Sequence, residues 1–236
     1  MPAHLETEWT LIQARGENAI EFLQGQLSCD VLAGGQSDCI EGLVLTPGGD
    51  VITSLVCRLA PEGVDLVVRR EVAEASLVAL RRFLLRTRCT LLDAGSVPGP
   101  YATVGDQLRR GEPGPGEFAA NVSAHTFGRD FVARHVSFTK GCFTGQELVG
   151  RLDARGGNVP FRLARVTGED LDMMELVVAS TGPRGERAIQ GLRTVVADRG
   201  FVALALVHRS LLGDAQEVTL DGVRVEGLHG ETEGAR

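Results

Sequence analysis

The chain has 236 residues, 43% of them hydrophobic and 23% charged, which is too apolar for a disordered chain and enough for one large or two smaller folded units. A net charge of −7 excludes a general nucleic-acid binder, because such a protein needs a cationic surface to displace phosphate counterions. The 5 cysteines contain no C-x-x-C pair and the 5 histidines no ligand spacing, which argues against a disulfide scaffold and a structural zinc site.

In chain order, Ile20, Leu23 and Leu27 recur at helical spacing and predict an amphipathic helix over residues 16–31. A hairpin follows, with strands over 40–45 and 51–59 around Thr46-Pro47-Gly48-Gly49-Asp50, and a third strand over 64–69. Residues 71–88 form the clearest helix, with Ala73, Leu77, Leu80 and Leu84 on one stripe. Glu71 and Glu74 near its start and Arg81, Arg82, Arg86 and Arg88 toward its end complement the helix dipole. Residues 90–92 read as a further strand. A hairpin among alternating strands and helices favours α+β over a doubly wound sheet. Glycines and prolines interrupt every period over 94–116, a loop region without a phosphate-binding G-x-x-x-x-G-K pattern.

Beyond Pro160 the pattern is strand alone, over 162–166, 175–179, 188–195, 201–207, 218–220 and 223–225. The last two flank Asp221-Gly222, a tight hairpin signal. Short strands with glycine-rich turns predict a small barrel. The expected division is an α+β domain over 1–158, with a short middle section over 94–138, and a C-terminal barrel over 159–230. MPAHLETEWT lacks the basic and apolar regions of a signal peptide, and the run over 201–207 is too short to span a bilayer. The expectation is a cytoplasmic protein with free thiols and no membrane contact.

Chemistry concentrates in Lys140-Gly141-Cys142-Phe143-Thr144-Gly145-Gln146-Glu147. Gly141 and Gly145 permit unusual backbone angles, and Arg151 follows Glu147 at the spacing of a helix-face ion pair. A helix opening at Gln146 would place Cys142 just before its N-terminus, where the dipole and Lys140 both favour the thiolate. A buried apolar cysteine in an ordinary turn fits the residues equally well.

KGCFTGQE resembles the K-G-C-[FY]-x-G-Q-E signature of the YgfZ-type folate-binding proteins, relatives of the glycine-cleavage aminomethyltransferases. Arg151 and Arg155-Gly156-Gly157 are similar to its continuation, and Gly16-Glu17-Asn18-Ala19 with Phe22-Leu23-Gln24-Gly25-Gln26-Leu27-Ser28-Cys29-Asp30 to the family's start. Cys29 and Asn18 depart from it, as does His125-Thr126-Phe127-Gly128, which stands where the family reads P-x-E.

The resemblance implies an aminomethyltransferase-like folate-binding fold, tetrahydrofolate or a reduced derivative as cofactor, and a role supporting iron–sulfur cluster assembly or repair and thereby tRNA modification. It implies transient contact with iron–sulfur client or assembly proteins, with Cys142 as the functional thiol. The implied folate-binding residues are Lys140, Gly141, Cys142, Phe143, Gly145, Gln146, Glu147, Arg151, Arg155 and Gln24, with Glu117 as a candidate pterin carboxylate, although an exposed loop acid is the preferred reading of Glu117 because glutamate is usually exposed. One cysteine cannot hold a stable cluster, so no resident metal is expected. The rival readings are a folate-dependent aminomethyltransferase and a scaffold without folate. Residues 66–92 contain no aspartate, only Glu74 and Ser76 near the helix start, so the acid–base group expected there of a transferase is missing.

Overall fold

The structure is a computed structural model and describes residues 8–35, 38–101, 103–170, 189–196, 200–213, 217–220 and 222–228. Its first strand, Trp9–Arg15 (β1), lies outside the elements expected above. Three residues of mixed polarity, Thr10, Ile12 and Ala14, occupy its inward positions, so the apolar period is muted. Thr10 is tolerated there because its hydroxyl donates to Asp93 Oδ1 at 2.6 Å. The hairpin forms as expected from Ile40–Leu45 (β2) and Val51–Ala60 (β3), followed by Gly63–Arg69 (β4). Thr90–Val97 (β5) runs five residues past the expected strand. These five make one antiparallel sheet in the order β2-β3-β4-β1-β5.

Period-2 alternation gives this sheet two distinct faces. Ile12, Ala14, Leu55, Cys57, Val64, Leu66 and Val68 point to one side. There they are buried under Ala19–Gln26 (α1) and Ala73–Arg81 (α2), which contribute Leu23, Leu77 and Leu80. Each fully buried aliphatic side chain contributes on the order of 1.5–3 kcal/mol to this packing. Both helices are shorter than their sequence stripes. After α1 the chain turns to pair with β2: Ser28 N donates to Leu43 O at 3.2 Å, and Leu43 N to Ser28 Oγ at 2.9 Å. Beyond α2, Arg86 has φ +61°, a left-handed backbone that no helix continues, and Leu85 is 85% exposed.

The region expected to be loop carries Val104–Arg109 (α3) and Pro115–Phe118 (α4). Local caps hold these short helices. Thr103 Oγ1 accepts from Asp106 N at 3.1 Å, and Glu117 Oε2 accepts from Gly114 N at 2.6 Å. Arg129–His135 (α5) and Gln146–Ala154 (α6) follow. Phe118, Phe127 and Phe131 form an edge-to-face series with centroids 5.4 and 5.1 Å apart, and His135 stacks on Phe131 at 4.0 Å. This core also takes Leu43, Leu45 and Val51 from the first sheet and Leu163, Leu204 and Leu206 from the second. It therefore crosses the expected division between residues 158 and 159.

The second sheet comprises Phe161–Gly168 (β6), Ile189–Val196 (β7), Phe201–His208 (β8), Glu217–Leu220 (β9) and Val223–Gly227 (β10), with Arg209–Leu212 (α7) after β8. Its order is β7-β8-β6-β10-β9, antiparallel throughout. Among the described residues it is an open five-stranded sheet with β7 and β9 at its edges, and closure into the expected barrel is not shown. The strand expected over 175–179 and residue Asp221 lie outside the described residues. No described helix is long and apolar enough to cross a membrane.

His135 gives this core a pH dependence. Burial pushes its pKa down from 6.5 to about 4, the Arg134 charge acts in the same direction, and the ring's 2.8 Å contact with Phe131 O opposes both. The unfolded chain takes up this proton near pH 6.5 and the folded chain only near pH 4, so stability is fully present above that window and falls as pH drops through it. The expected loss from this ring is on the order of 3 kcal/mol. Thermal melts of wild type and His135→Gln across the window should show a shallower slope for the variant. Equal slopes would refute the assignment.

Candidate functional site

Helix α1 ends with carbonyls that no further turn can satisfy. The Lys140 ammonium donates to two of them, Gln24 O and Leu27 O, the latter at 2.7 Å, while lying 5.2 Å over the centroid of the Phe143 ring. Thr144 completes the contact: its N donates to Gly25 O at 3.1 Å and its hydroxyl to Gln26 Oε1 at 2.9 Å. The two most distinctive stretches of the sequence, 22–30 and 140–147, thus recognise each other. Burial holds the Lys140 pKa below its usual value, and the charges that oppose this shift are those of Cys29, Asp30 and Cys57.

Two glycines fix the next step. Gly145 has φ +82° and caps α6, and a Cβ there would lie 2.7 Å from Thr46 O. Gly49, in the β2–β3 turn at φ +90°, would place a Cβ 2.7 Å from Leu148 Cβ. The turn and the start of α6 approach closer than any pair of larger residues permits.

Cys142 is exposed, so the buried alternative does not apply. It precedes the first residue of α6 by four positions, farther from the dipole than a capping residue, and the Lys140 ammonium is engaged at α1. Phe143 is buried and Gly141 has open space beside it. Glu147 and Arg151 pair with each other at the surface, at 85% and 52% exposure, and Arg155 is exposed at the end of α6. Gln146 is half-buried. Gln24 serves its own turn, donating to Asp30 Oδ1 at 2.8 Å and accepting from Val31 N at 2.9 Å. Glu117 is fully buried and caps α4, which sets aside the exposed-acid alternative. His125 is buried under the Gly157 turn, with Nε2 3.7 Å from Asp153 Oδ1. Burial depresses its pKa although Asp153 opposes this.

A cavity of about 880 Å³ opens on the other face of the first sheet. Leu11, Val56 and Val67, the outward residues of β1, β3 and β4, form its floor together with Ile40 and Val97. Pro98, Gly99 and Pro100 form a wall that Trp9 pins: the indole donates to Tyr101 O at 3.1 Å, and a Cβ on Gly99 would lie 2.1 Å from the ring. Arg58, Asp65, Glu41 and Arg134 bring charge to the cavity, and Cys39 adds a thiol. Asp65 pairs with Arg15 and with Arg58 at 3.5 Å, and Arg134 pairs with Glu41 at 3.2 Å and Glu112 at 2.6 Å.

The lining contains no residue of 140–155, neither Gln24 nor Glu117. Sequence reasoning missed this place, yet a signal existed. Leu11, Val56 and Val67 stand at neighbouring outward positions of β1, β3 and β4, an apolar patch among polar residues on the face opposite α1 and α2.

Lys140→Met should destabilise the fold by about 1–2 kcal/mol, the loss of a charged cap on buried carbonyls. It should also speed amide exchange over residues 137–146. A variant with wild-type melting and exchange would show that the clamp carries no energy. Gly145→Ala should cost at least about 1 kcal/mol, because a left-handed backbone and a 2.7 Å contact oppose the methyl group. An unchanged melting temperature would contradict that packing.

No family model matches the sequence, and no curated protein matches it. Among solved structures, the chain is similar to the glycine cleavage system aminomethyltransferase T from Bartonella henselae, with a TM-score of 0.62 and 13% identity over 96% of this chain and 86% of that one. The likeness establishes that the chain has an aminomethyltransferase-like α+β fold.

Proposed function

We propose that the chain binds a reduced folate, tetrahydrofolate or a derivative, in the cavity on the outer face of the first sheet. In this reading it is an accessory protein for iron–sulfur cluster assembly or repair, meeting client or assembly proteins through the Cys142 thiol. A folate needs apolar walls for its rings, a carboxylate opposite the paired pterin donors, and cations for its glutamate tail. The cavity offers Leu11, Val56 and Val67 for the first, Asp65 and Glu41 for the second, and Arg58 and Arg134 for the third. That combination in one pocket carries the reading, and the fold shared with an aminomethyltransferase supports it.

The 140–151 segment then carries the thiol, and the ligand contacts expected of it, of Gln24 and of Glu117 pass to the cavity residues. Cys142 is exposed on a loop clamped at Lys140 and Thr144, which suits transient metal ligation or a mixed disulfide with a partner. Nucleic acid is not a direct partner in this reading, in keeping with the net charge of −7. Folate-dependent aminomethyl transfer is the second reading, favoured by the activity of the structural neighbour and by Asp65 and Glu41 as candidate proton carriers at the cavity.

Titration with 5-formyltetrahydrofolate should give saturable binding, weakened at least about tenfold in Arg134→Ala, the loss of about 1.4 kcal/mol. A folded wild-type protein giving no saturable signal at high micromolar ligand would sink the folate reading and leave a scaffold. Cys142→Ala should bind folate like wild type yet fail to rescue a strain defective in iron–sulfur enzyme activity. Equal rescue would remove the thiol from the mechanism, and folate-dependent aminomethyl turnover would favour the transferase.

A further inference from the structure

Cys29 and Cys57 come from different elements, the stretch that follows α1 and the inward face of β3. Their sulfurs lie 3.8 Å apart, and the residues are 3% and 0% exposed. The backbone makes room for them: a Cβ on Gly42 of β2 would come within 2.4 Å of Cys29 Sγ, so the sulfur occupies space that only glycine leaves. The other three thiols differ in placement, with Cys39 and Cys142 exposed and Cys89 half-buried.

The pair is chemically asymmetric. The hydrogen bond from Cys57 holds the Cys29 thiol below its usual pKa despite burial, with the Lys140 ammonium acting in the same direction. Cys57 is raised, first by serving as that donor and then by burial. Either sulfur can donate to the other, and with Cys57 as donor Cys29 is the one favoured as nucleophile.

We infer that Cys29 and Cys57 are an oxidation site, a dithiol that a small peroxide converts into an internal disulfide joining the end of α1 to β3. The Cys29 thiolate attacks one peroxide oxygen, the O–O bond breaks, and the departing hydroxide leaves as water with the proton that Cys29 released on ionising. Cys29 is then a sulfenic acid. The Cys57 sulfur attacks Cys29 Sγ, the S–O bond breaks, and hydroxide leaves with the Cys57 proton as a second water. Two thiols and one hydrogen peroxide give one disulfide and two waters. The sulfurs must close from 3.8 Å to about 2 Å. Burial sets the oxidant class, because hydrogen peroxide penetrates a packed core where a glutathione-sized disulfide does not. The site bears on the loop described above, since the Lys140 ammonium that caps α1 also favours the Cys29 thiolate. Oxidation removes the negative charge that Cys29 can carry and ties the end of α1 to the sheet.

The test uses the whole chain, reduced and freed of reductant under argon, then treated with hydrogen peroxide or with oxidised glutathione. After unfolding and alkylation, nonreducing peptide mass spectrometry should find a Cys29–Cys57 linked peptide, lighter by two hydrogens, in the peroxide sample. Cys142→Ser should form it equally, and Cys57→Ala should not. In the oxidised-glutathione sample only exposed thiols should be modified. Recovery of both Cys29 and Cys57 as alkylated thiols, at peroxide levels that fully oxidise Cys142, would overturn the inference. Equally fast formation of the link by oxidised glutathione would overturn the sealed-site mechanism.

Discussion

A helix of eight residues leaves its last carbonyls without partners, and at the end of α1 a single ammonium supplies them. Lys140 reaches Gln24 O and Leu27 O from more than a hundred residues away, and Thr144 adds the carbonyl of Gly25. The constraint propagates in both directions. It fixes where α1 stops, so that Leu27 and Ser28 can pair with β2, and it fixes the loop from which α6 departs. Ser28 transmits the same restraint inward, since its hydroxyl accepts from Leu43 N and donates to His135 O at 2.6 Å. Burying that ammonium is costly, which its depressed pKa records, and two carbonyls with an aromatic face offset the cost.

The first sheet is asymmetric in what covers it. Helices α1 and α2 take one face; on the other, Leu43, Leu45 and Val51 pack into the aromatic core, and the remainder is bordered by a wall of proline and glycine pinned on Trp9. An apolar floor with both signs of charge around it can hold a flat, amphipathic molecule while its own ion pairs remain satisfied. Arg134 sits at the junction of these parts. It pairs with Glu41 and Glu112 beside the cavity, while its neighbour His135 turns inward to stack on Phe131. A ligand anion near Arg134 would therefore act on a residue whose backbone belongs to the aromatic core.

Much of the architecture was legible in one dimension. The β2–β3 hairpin followed from Thr46-Pro47-Gly48-Gly49-Asp50, because turn residues carry their conformational preference locally. The second sheet's strands followed from short apolar runs, and the helix start at Gln146, entertained in the sequence only as a condition on Cys142, is where α6 begins. The misses have physical causes. β1 hides because Thr10 is buried with a partner 83 residues away, and α3 and α4 hide because caps rather than periodicity define helices of six and four residues.

The sequence by itself determined the α+β class, the presence of a special loop at 140–147 and an accessible thiol within it as one of two readings. These depend on residue type and spacing, which are local properties. Tertiary structure alone decided that Lys140 is a helix cap, that Glu117 is a buried capping acid, and that the large cavity belongs to the outward residues of β1, β3 and β4. It also decided that Cys29 and Cys57, 28 positions apart, share one pocket of the core. Each of these is a meeting of distant segments, and no local preference encodes which distant partner a side chain will find.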